Sequence, residues 1–596
     1  MSKKQCVAVF ISLFSLFLIE KSPFCQTVQA ATSNDASQAP TRRSTPNSKR
    51  TDLIAQAFQL PAPKPLPEPR PQPQLPPADD LLRSPPSETP PEIAPGDDSV
   101  TIVVKAFKVV GSTVFSEQQL ATVLQPFTNR PLTLTELLQA RTAVTQLYHD
   151  AGYVTSGAYI PPQEPQDGIV TVQVIEGRVE TINITGNRRL RSRYVQSRLE
   201  LATKPPLNVN KLVEKLRLLQ LNPLIENVSA ELAAGVQPGT SILNVTVTEA
   251  DTFSLDLATD NNRTPSIGSW ERLVTLREAN LLGLGDGLTI GYINTNGSNE
   301  VDASYTLPLN ARDGTLSLNY QFVSSKVIED PFDVLDLKST SQYYDVTYRQ
   351  PIIKTPTQEL ALSLTGSYQQ SRSEFLEDLL GEAIPFPALG ADEDGRVQVA
   401  AIRFGQEWTK QGRREVFAVR SQFNFGFVPS DAVITENAPN DEFFSWQGQF
   451  QWVRLLAPDT LFLFRSQLQL TGSALTSFEQ FTLGGWQSIR GYRQDLLFTD
   501  NGLQASAEVR FPLYRNRRIN GLLQGIAFFD MGTGWNTELA DPDPNFLASL
   551  GVGLLWQMGD RLSARFDWGI PLIDVDTDNN SLQEQGLYFS IRYTAF

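Results

Sequence analysis

Leu483-Gly484-Gly485-Trp486-Gln487-Ser488-Ile489-Arg490-Gly491-Tyr492-Arg493 is the stretch on which the fold turns. Its three glycines let a backbone bend where other residues resist. Arg490 stands between Ile489 and Gly491, and no helical period surrounds it. The flanks instead alternate strictly. Before it, Phe462, Phe464, Leu468 and Leu470 share one face, and Arg465, Gln467 and Gln469 the other. After it, Leu503, Ala505, Ala507, Val509 and Phe511 alternate with Gln504, Ser506, Glu508 and Arg510. A period of two is that of a β-strand. The stretch is therefore a long loop between two strands.

The same alternation extends outward, as in Phe444, Trp446, Phe450 and Trp452 against Ser445, Gln447, Gln449 and Gln451. From Thr252 to Phe596 it predicts sixteen strands, at 252–261, 270–280, 287–294, 299–307, 314–323, 341–349, 359–370, 396–409, 414–427, 443–455, 460–472, 501–511, 521–530, 546–557, 561–569 and 586–595. Alternation alone does not separate a soluble sandwich from a membrane barrel. Charges on the polar face, aromatics near strand ends and connections that alternate short and long favour an outer-membrane barrel, as does the even count. Leu587, Phe589, Ile591 and Tyr593 alternate up to the terminal Phe596 and look like the C-terminal signal of such barrels. The expected fold class is mainly β: a C-terminal 16-stranded transmembrane antiparallel barrel preceded by two small α/β domains.

Bulk properties agree. The 596 residues exceed one compact domain. Apolar residues make up 41% and charged residues 19%, yet mean hydropathy is −0.21. After the first twenty residues no run of about 18 apolar residues occurs, which disfavours a helical membrane protein. A net charge of −15 disfavours a nucleic-acid partner. No nucleotide motif is present. Lys3, Lys4, the apolar run Cys6 to Ile19 and Val28-Gln29-Ala30 predict a signal peptide over 1–30. Cys25 lacks the aliphatic context of a lipoprotein cysteine. Cys6 and Cys25 are the only cysteines and would leave with the leader, so no disulfide, thiolate metal site or Cys nucleophile is expected. A single histidine, His149, argues against a Ser-His-Asp triad, and no cofactor or metal is expected. The acidic loops Ala391 to Gly395 and Asp574 to Asp578 lack a full calcium-loop pattern and read as solvated surface. Residues 31–99 are rich in Pro, Ser, Thr and Gln and predict a mostly disordered, passive linker. Leu53 to Phe58 could add a helical turn or two.

Between linker and barrel an element order repeats. Ile102 to Val110 reads as a strand ending at Gly111. Helices follow from Ser116 to Leu124 and from Thr135, with Leu138, Ala143, Leu147 and Ala151 as its apolar stripe. Strands follow at Val154 to Ile160 and Gly168 to Ile175. The second pass has a strand at Val179 to Ile184, helices at Arg191 to Leu201 and Asn208 to Gln220, and strands at Val228 to Ala233 and Ser241 to Thr248. The boundaries expected are 100–176, 177–251 and, for the barrel, 252–596. The order, with Gly111-Ser112 and Gly186-Asn187 closing each first strand and Gly152-Tyr153-Val154 after a second helix, resembles POTRA domains, periplasmic modules that take up unfolded chains. That resemblance implies capture of an extended segment by strand addition.

Ile489-Arg490-Gly491-Tyr492 matches the V/I-R-G-Y/F motif of loop six in the superfamily that joins POTRA domains to a sixteen-stranded barrel. Phe528-Phe529-Asp530-Met531-Gly532 matches its F-x-D-x-G motif on strand thirteen. Two POTRA-like units and a Pro-rich extension make the chain similar to the two-partner secretion transporters (TpsB, the haemolysin secretion/activation proteins) over about residues 100–596. The resemblance implies a lock in which Arg490, with Ile489, Gly491 and Tyr492, reaches into the lumen and pairs with Asp530, flanked by Phe528 and Gly532. It also implies a non-enzymatic function: periplasmic recognition of a secreted, β-rich partner and its unfolded export through the pore, from an outer membrane whose lipids surround the barrel. The alternatives are a barrel-assembly factor of the same superfamily and, further off, a small-solute porin.

Overall fold

The computed structural model describes residues 77–83, 101–388, 390–428, 442–576 and 581–596. The expected leader and most of the expected linker, including Leu53 to Phe58, lie outside the described residues.

Sixteen strands close into one antiparallel barrel. They are β1 (Phe253–Asp260), β2 (Glu271–Glu278), β3 (Gly287–Asn294), β4 (Ser298–Pro308), β5 (Thr315–Lys326), β6 (Lys338–Thr355), β7 (Gln358–Phe375) and β8 (Arg396–Gln411). Then come β9 (Glu415–Phe427), β10 (Glu442–Ala457), β11 (Thr460–Thr471), β12 (Asn501–Asn516), β13 (Gly521–Trp535), β14 (Phe546–Met558), β15 (Leu562–Pro571) and β16 (Leu587–Thr594). β1 returns to β16, with Leu257 opposite Tyr593.

Side chains sort by face in the sense opposite to a soluble protein. On β13, Gln524, Ile526, Phe528 and Asp530 are buried inside, while Phe529 and Met531 are exposed outside. Leu550, Val552 and Leu554 of β14 and Phe566 and Trp568 of β15 face out, and Ser549 and Asp567 are fully buried. The inner wall also holds Gln447, Gln449, Gln451 and Gln469. An apolar exterior around a polar interior is stable only where hydrocarbon replaces water outside. That contrast separates the membrane barrel from the sandwich.

Several strands run beyond their alternating cores. β6 and β7 extend to Lys338 and Phe375, consuming residues that the alternation assigns to loops. The extensions carry Ser339, Ser371 and Ser373, whose hydroxyls bond across the ladder. Past the membrane the outward face has no reason to be apolar, so the period-two signal fades while pairing continues.

The two N-terminal units share one topology. In the first, Ala106–Val110 pairs in parallel with Ile169–Ile175, which pairs antiparallel with Gly157–Tyr159. In the second, Arg178–Thr185 pairs in parallel with Thr240–Glu249, which pairs antiparallel with Ile225–Ala234. The helices are α1 (Glu117–Leu124) and α2 (Leu134–Asp150) in the first unit, α3 (Ser192–Glu200) and α4 (Val209–Gln220) in the second. Ser116 with Gln119 and Thr133 with Glu136 form capping boxes that start α1 and α2.

Three expectations are corrected. Ile102 to Val110 is not one strand: Ile102–Val104 pairs with Arg130–Leu132 in a separate ribbon. The strand expected over Val154 to Ile160 is only Gly157–Tyr159. The buried stripe of α2 is Leu137, Ala140, Val144 and Tyr148, not the Leu138, Ala143, Leu147 and Ala151 expected, because that helix carries apolar residues on two faces and only packing chooses between them.

A device invisible to periodicity marks the repeat. At the end of the third strand of each unit stands a glutamate that closes the turn after the first strand. Glu176 accepts from the amides of Thr113 and Val114, and Glu249 from those of Arg188, Arg189 and Leu190. The Tyr148 hydroxyl adds a contact to Glu176 at 3.0 Å. Burial raises both carboxyl pKa values, but these donors outweigh it and hold them below the usual range.

The second unit sits on the turns that follow even-numbered strands. Arg191 N–H donates to the Gly283 carbonyl at 2.9 Å. Asp313, in the β4–β5 turn, takes Arg198 at 2.7 Å and Lys354 at 2.8 Å. Long connections after odd strands therefore leave from the opposite end.

One short piece of the linker is ordered. Ala78–Leu81 makes one helical turn and Leu82–Arg83 adds in parallel to Ile225–Ala234. Leu81 and Leu82 are buried in the core of the second unit, each contributing about 1.5–3 kcal/mol. The passive spacer expected over 31–99 is thus interrupted here.

A depressed carboxyl pKa stabilises above the unfolded value, about 4.3 for glutamate, and the contribution is lost as pH falls through the folded value. Protection of the amides of Thr113, Val114 and Arg188 to Leu190, taken relative to an unfolded chain at the same pH, is expected to be high at neutral pH and to fall below about pH 4. Glu249→Ala is expected to speed exchange at Arg188 to Leu190 severalfold at neutral pH and leave Thr113 unchanged.

Candidate functional site

Loop six runs from Gly472 to Asp500, between β11 and β12. Its limbs pair as Phe481–Leu483 with Leu497–Thr499, and its tip carries the opening stretch. Gly491 has φ +105°, a region closed to most residues. A Cβ on the facing Gly569 of β15 would stand 2.6 Å from the Gly491 nitrogen. Loop and wall thus meet backbone to backbone, and only glycine permits it.

This approach delivers Arg490 into the inner wall, where its residue exposure is 1%. Nε donates to Asp530 Oδ2 at 2.7 Å and Nη2 to Asp530 Oδ1 at 2.9 Å, a forked pair. Nη1 donates to Glu508 Oε2 at 2.7 Å. The Arg490 backbone N–H also reaches Asp530 Oδ2, at 3.2 Å. The guanidinium lies 3.5 Å from the Phe528 ring centroid, a cation–π contact. An apolar Phe528 on the lumen face is thereby explained.

The pair belongs to a lattice of charge. Arg565 donates to Glu508 at 2.8 Å and to Asp567 at 2.8 Å, and lies 4.6 Å from the Trp486 ring. Arg510 pairs with Glu508 at 2.6 Å. Each buried charge has opposite neighbours, the condition for keeping ions out of bulk water.

The neighbours of Arg490 hold the tip by other means. Ile489 is fully buried with Phe481, Leu483, Tyr492 and Leu547. A Cβ on Gly532 would meet Ile489 Cδ1 at 2.9 Å, so Gly532 makes room for it. The Tyr492 hydroxyl donates to the Ala548 carbonyl at 2.8 Å and accepts from Ile573 N–H at 3.2 Å. Tyr588 of β16 accepts from Gly491 N–H at 3.0 Å and donates to the Tyr492 carbonyl. Arg493 reaches Glu329 in the β5–β6 loop at 2.9 Å and Glu584 in the β15–β16 loop at 3.4 Å. Glu479, on the ascending limb, takes a forked contact from Arg403 of β8 at 2.6 and 2.9 Å.

The structure thus gathers Ile489, Arg490, Gly491 and Tyr492 with Phe528, Asp530 and Gly532 in one place. Sequence reasoning missed Glu508, Arg565, Asp567 and Tyr588. Glu508 was visible as a charge on the polar face of β12, but nothing in one sequence ties it to Arg490. Tyr588 carries no signal beyond its inward parity.

Removing one partner of a buried ion pair costs about 3–5 kcal/mol, because the other charge is left uncompensated. Asp530→Ala is expected to free loop six and raise its protease sensitivity in membranes. Gly569→Ala is expected to do the same without touching any charge, since its methyl collides with the loop backbone.

Comparison with known proteins identifies the family and the fold. Residues 102–177 match the family model "POTRA domain, ShlB-type". Residues 239–555 match "Haemolysin secretion/activation protein ShlB/FhaC/HecB", more than half of the chain. The outer membrane transporter CdiB of Escherichia coli is 23% identical over 514 residues, covering 84% of each chain. The heme/hemopexin transporter protein HuxB of Haemophilus influenzae is 21% identical, covering 70% of this chain and 73% of its own. Among solved structures, CdiB from Escherichia coli superposes with a TM-score of 0.61 at 21% identity, over 86% of this chain and 94% of that one. CdiB from Acinetobacter baumannii gives 0.57 at 16% identity, over 92% and 96%. The chain belongs to the haemolysin secretion/activation protein family ShlB/FhaC/HecB and is an outer-membrane transporter of two-partner secretion.

Proposed function

We propose that the N-terminal units, spanning about 100–176 and 177–251, are periplasmic POTRA domains that capture one secreted, β-rich partner before it folds. The partner then passes in extended form through the barrel of 252–596. Loop six is the internal brace that moves aside, with Arg490 as its point of attachment to Asp530 and Glu508. The observation that carries this reading is the seat of Arg490: a loop from the outer end of the barrel reaches a charge site on the inner wall and holds the lumen-side face of β12 to β16. A passing chain has to displace it. No covalent step is needed. Folding of the partner outside supplies a direction without a nucleotide.

A cleft of about 940 Å³ between the second unit and the even-strand turns suits the place where the partner enters. Arg198, Lys204, Lys215, Arg349 and Lys354 are among its lining residues.

Arg490→Asp and Asp530→Arg are each expected to lower secretion of the partner about tenfold or more, the effect of 1.4 kcal/mol or above. The double swap is expected to restore only part, because the new carboxylate would face Glu508. Partner in the medium, measured by immunoblot, decides this, and single variants at the native level would remove the brace. Deletion of the chain that spares secretion but depletes other outer-membrane barrels would instead favour the assembly-factor alternative.

A further inference from the structure

The outer end of the barrel carries two like charges side by side on the face turned away from the lumen. Arg372 of β7 and Arg396 of β8 are direct partners in the antiparallel ladder. Their chain neighbours Ser371, Ser373 and Val397 are buried inside. Both guanidiniums therefore start from the outward face, with Cβ atoms about 5 Å apart. Side-chain exposure is 54% for Arg372 and 45% for Arg396. Two cations directly opposite one another on a ladder repel. Their own carboxylates relieve this little. Glu374 lies 3.9 Å from Arg372 Nε, and Asp394 3.4 Å from Arg396 Nη2, where full charge-assisted contacts run to about 2.7–2.9 Å. Lys338 of β6, opposite Glu374, is taken up by Asp336 and Glu377 at 2.8 Å each.

The surroundings set the height of the pair. These ends of β6, β7 and β8 join the long loops after odd-numbered strands, at the end away from the second unit. Two residues down the strands, Gln342, Gln370 and Gln398 stand side by side. Gln370 donates to the Gln342 side-chain oxygen at 2.8 Å, and the Tyr344 hydroxyl donates to the same atom at 3.0 Å. Tyr344 and Tyr368 pair two residues further down, where an aromatic girdle belongs. Val346, Leu364 and Ile402 below them are exposed apolar surface. Four residues separate Arg372 from Tyr368, about 13 Å along a strand. The arginines thus lie among head groups and not in hydrocarbon. Together with Thr340, Gln342 and Gln370 they line a groove of about 370 Å³.

We propose that this groove seats the head group of a phosphorylated glycolipid of the outer leaflet, with phosphate between Arg372 and Arg396 and sugar hydroxyls on Thr340, Gln342 and Gln370. Phosphate offers an oxygen to each guanidinium and turns their repulsion into a bridge. The glutamine row supplies donors and acceptors that a phosphate alone does not use. One continuous outward face joins the arginines to the apolar band, and this commits the site to a lipid. The inference rests on the orientation of the barrel and not on transport of a partner.

Native mass spectrometry of the full-length protein, released from detergent micelles, tests this. The probe is bisphosphorylated lipid A. The comparison lipids are lipid A stripped of its phosphates and phosphatidylglycerol, which carries phosphate without a sugar. The native chain is expected to retain lipid A at least about tenfold more tightly than either. Arg372→Gln/Arg396→Gln is expected to abolish that preference. Arg413→Gln/Arg414→Gln, which removes the same charge from the β8–β9 turn at the opposite end, is expected to leave it unchanged. A large excess of inorganic phosphate is expected not to displace the lipid. Equal retention of lipid A with and without phosphate overturns the proposal, as does equal retention by the native chain and the 372/396 glutamine variant. Loss of the preference in the 413/414 variant, displacement by inorganic phosphate, or a second copy of the chain held in place of lipid overturns it too. Phosphatidylglycerol held as tightly as lipid A overturns the glycolipid assignment. The comparison of lipid A with its dephosphorylated form uses the native chain alone, and it decides the matter where the 372/396 variant does not fold.

Discussion

A guanidinium cannot lose its charge inside a protein, so a buried arginine has to be met by carboxylates. Arg490 is that residue here. Asp530 meets it with a fork, Glu508 with a single contact, and Phe528 with its ring face. The rest of the barrel interior follows from this demand. Glu508 is shared with Arg565 and Arg510, and Asp567 with Arg565. Three strands, β12, β13 and β15, contribute to one seat. The glycines at 491, 532 and 569 exist to bring the loop close enough to use it.

Such an arrangement is both specific and reversible. Each contact is non-covalent, and the lumen beside it is polar, so the proposed withdrawal of the loop would leave the charges to water. A hydrophobic plug of equal area would lack that second state. Arg493 and Arg403 fasten the same loop at two further points, to outer loops and to β8. The loop is therefore braced at its tip, at the residue after the tip motif and on its ascending limb, and its movement has to break all three.

Much of this was legible in the sequence because the membrane writes a strong code. Where hydrocarbon faces a strand, every second residue is apolar, and all sixteen strands announce themselves. Where the strands leave the membrane, as at Ser339 and Ser371, the code stops and their ends are misjudged. Helix α2 shows the converse failure, since Leu137 and Leu138 are equal in hydropathy and only the packed sheet selects the first. The motif residues Arg490 and Asp530 were recognisable as a type. Glu508, Asp567 and Tyr588 were not, because their meaning comes from cross-strand register, which no single sequence displays. The turn-closing glutamates, Glu176 and Glu249, lie about sixty residues from the amides they bind. The ordered piece at Ala78–Arg83 was hidden by the prolines around it, whose composition speaks for the whole segment and not for six residues inside it.

The central claim is that loop six is held in the barrel by the charge seat and not by general packing. Paired spin labels at Gln487→Cys on the loop tip and Arg517→Cys on the β12–β13 turn report the distance directly in membranes. The account predicts a single narrow distance in the otherwise native chain and a broad distribution extending to longer distances when Asp530→Ala and Glu508→Ala are added. An unchanged narrow distance in the variant lacking both carboxylates would contradict it.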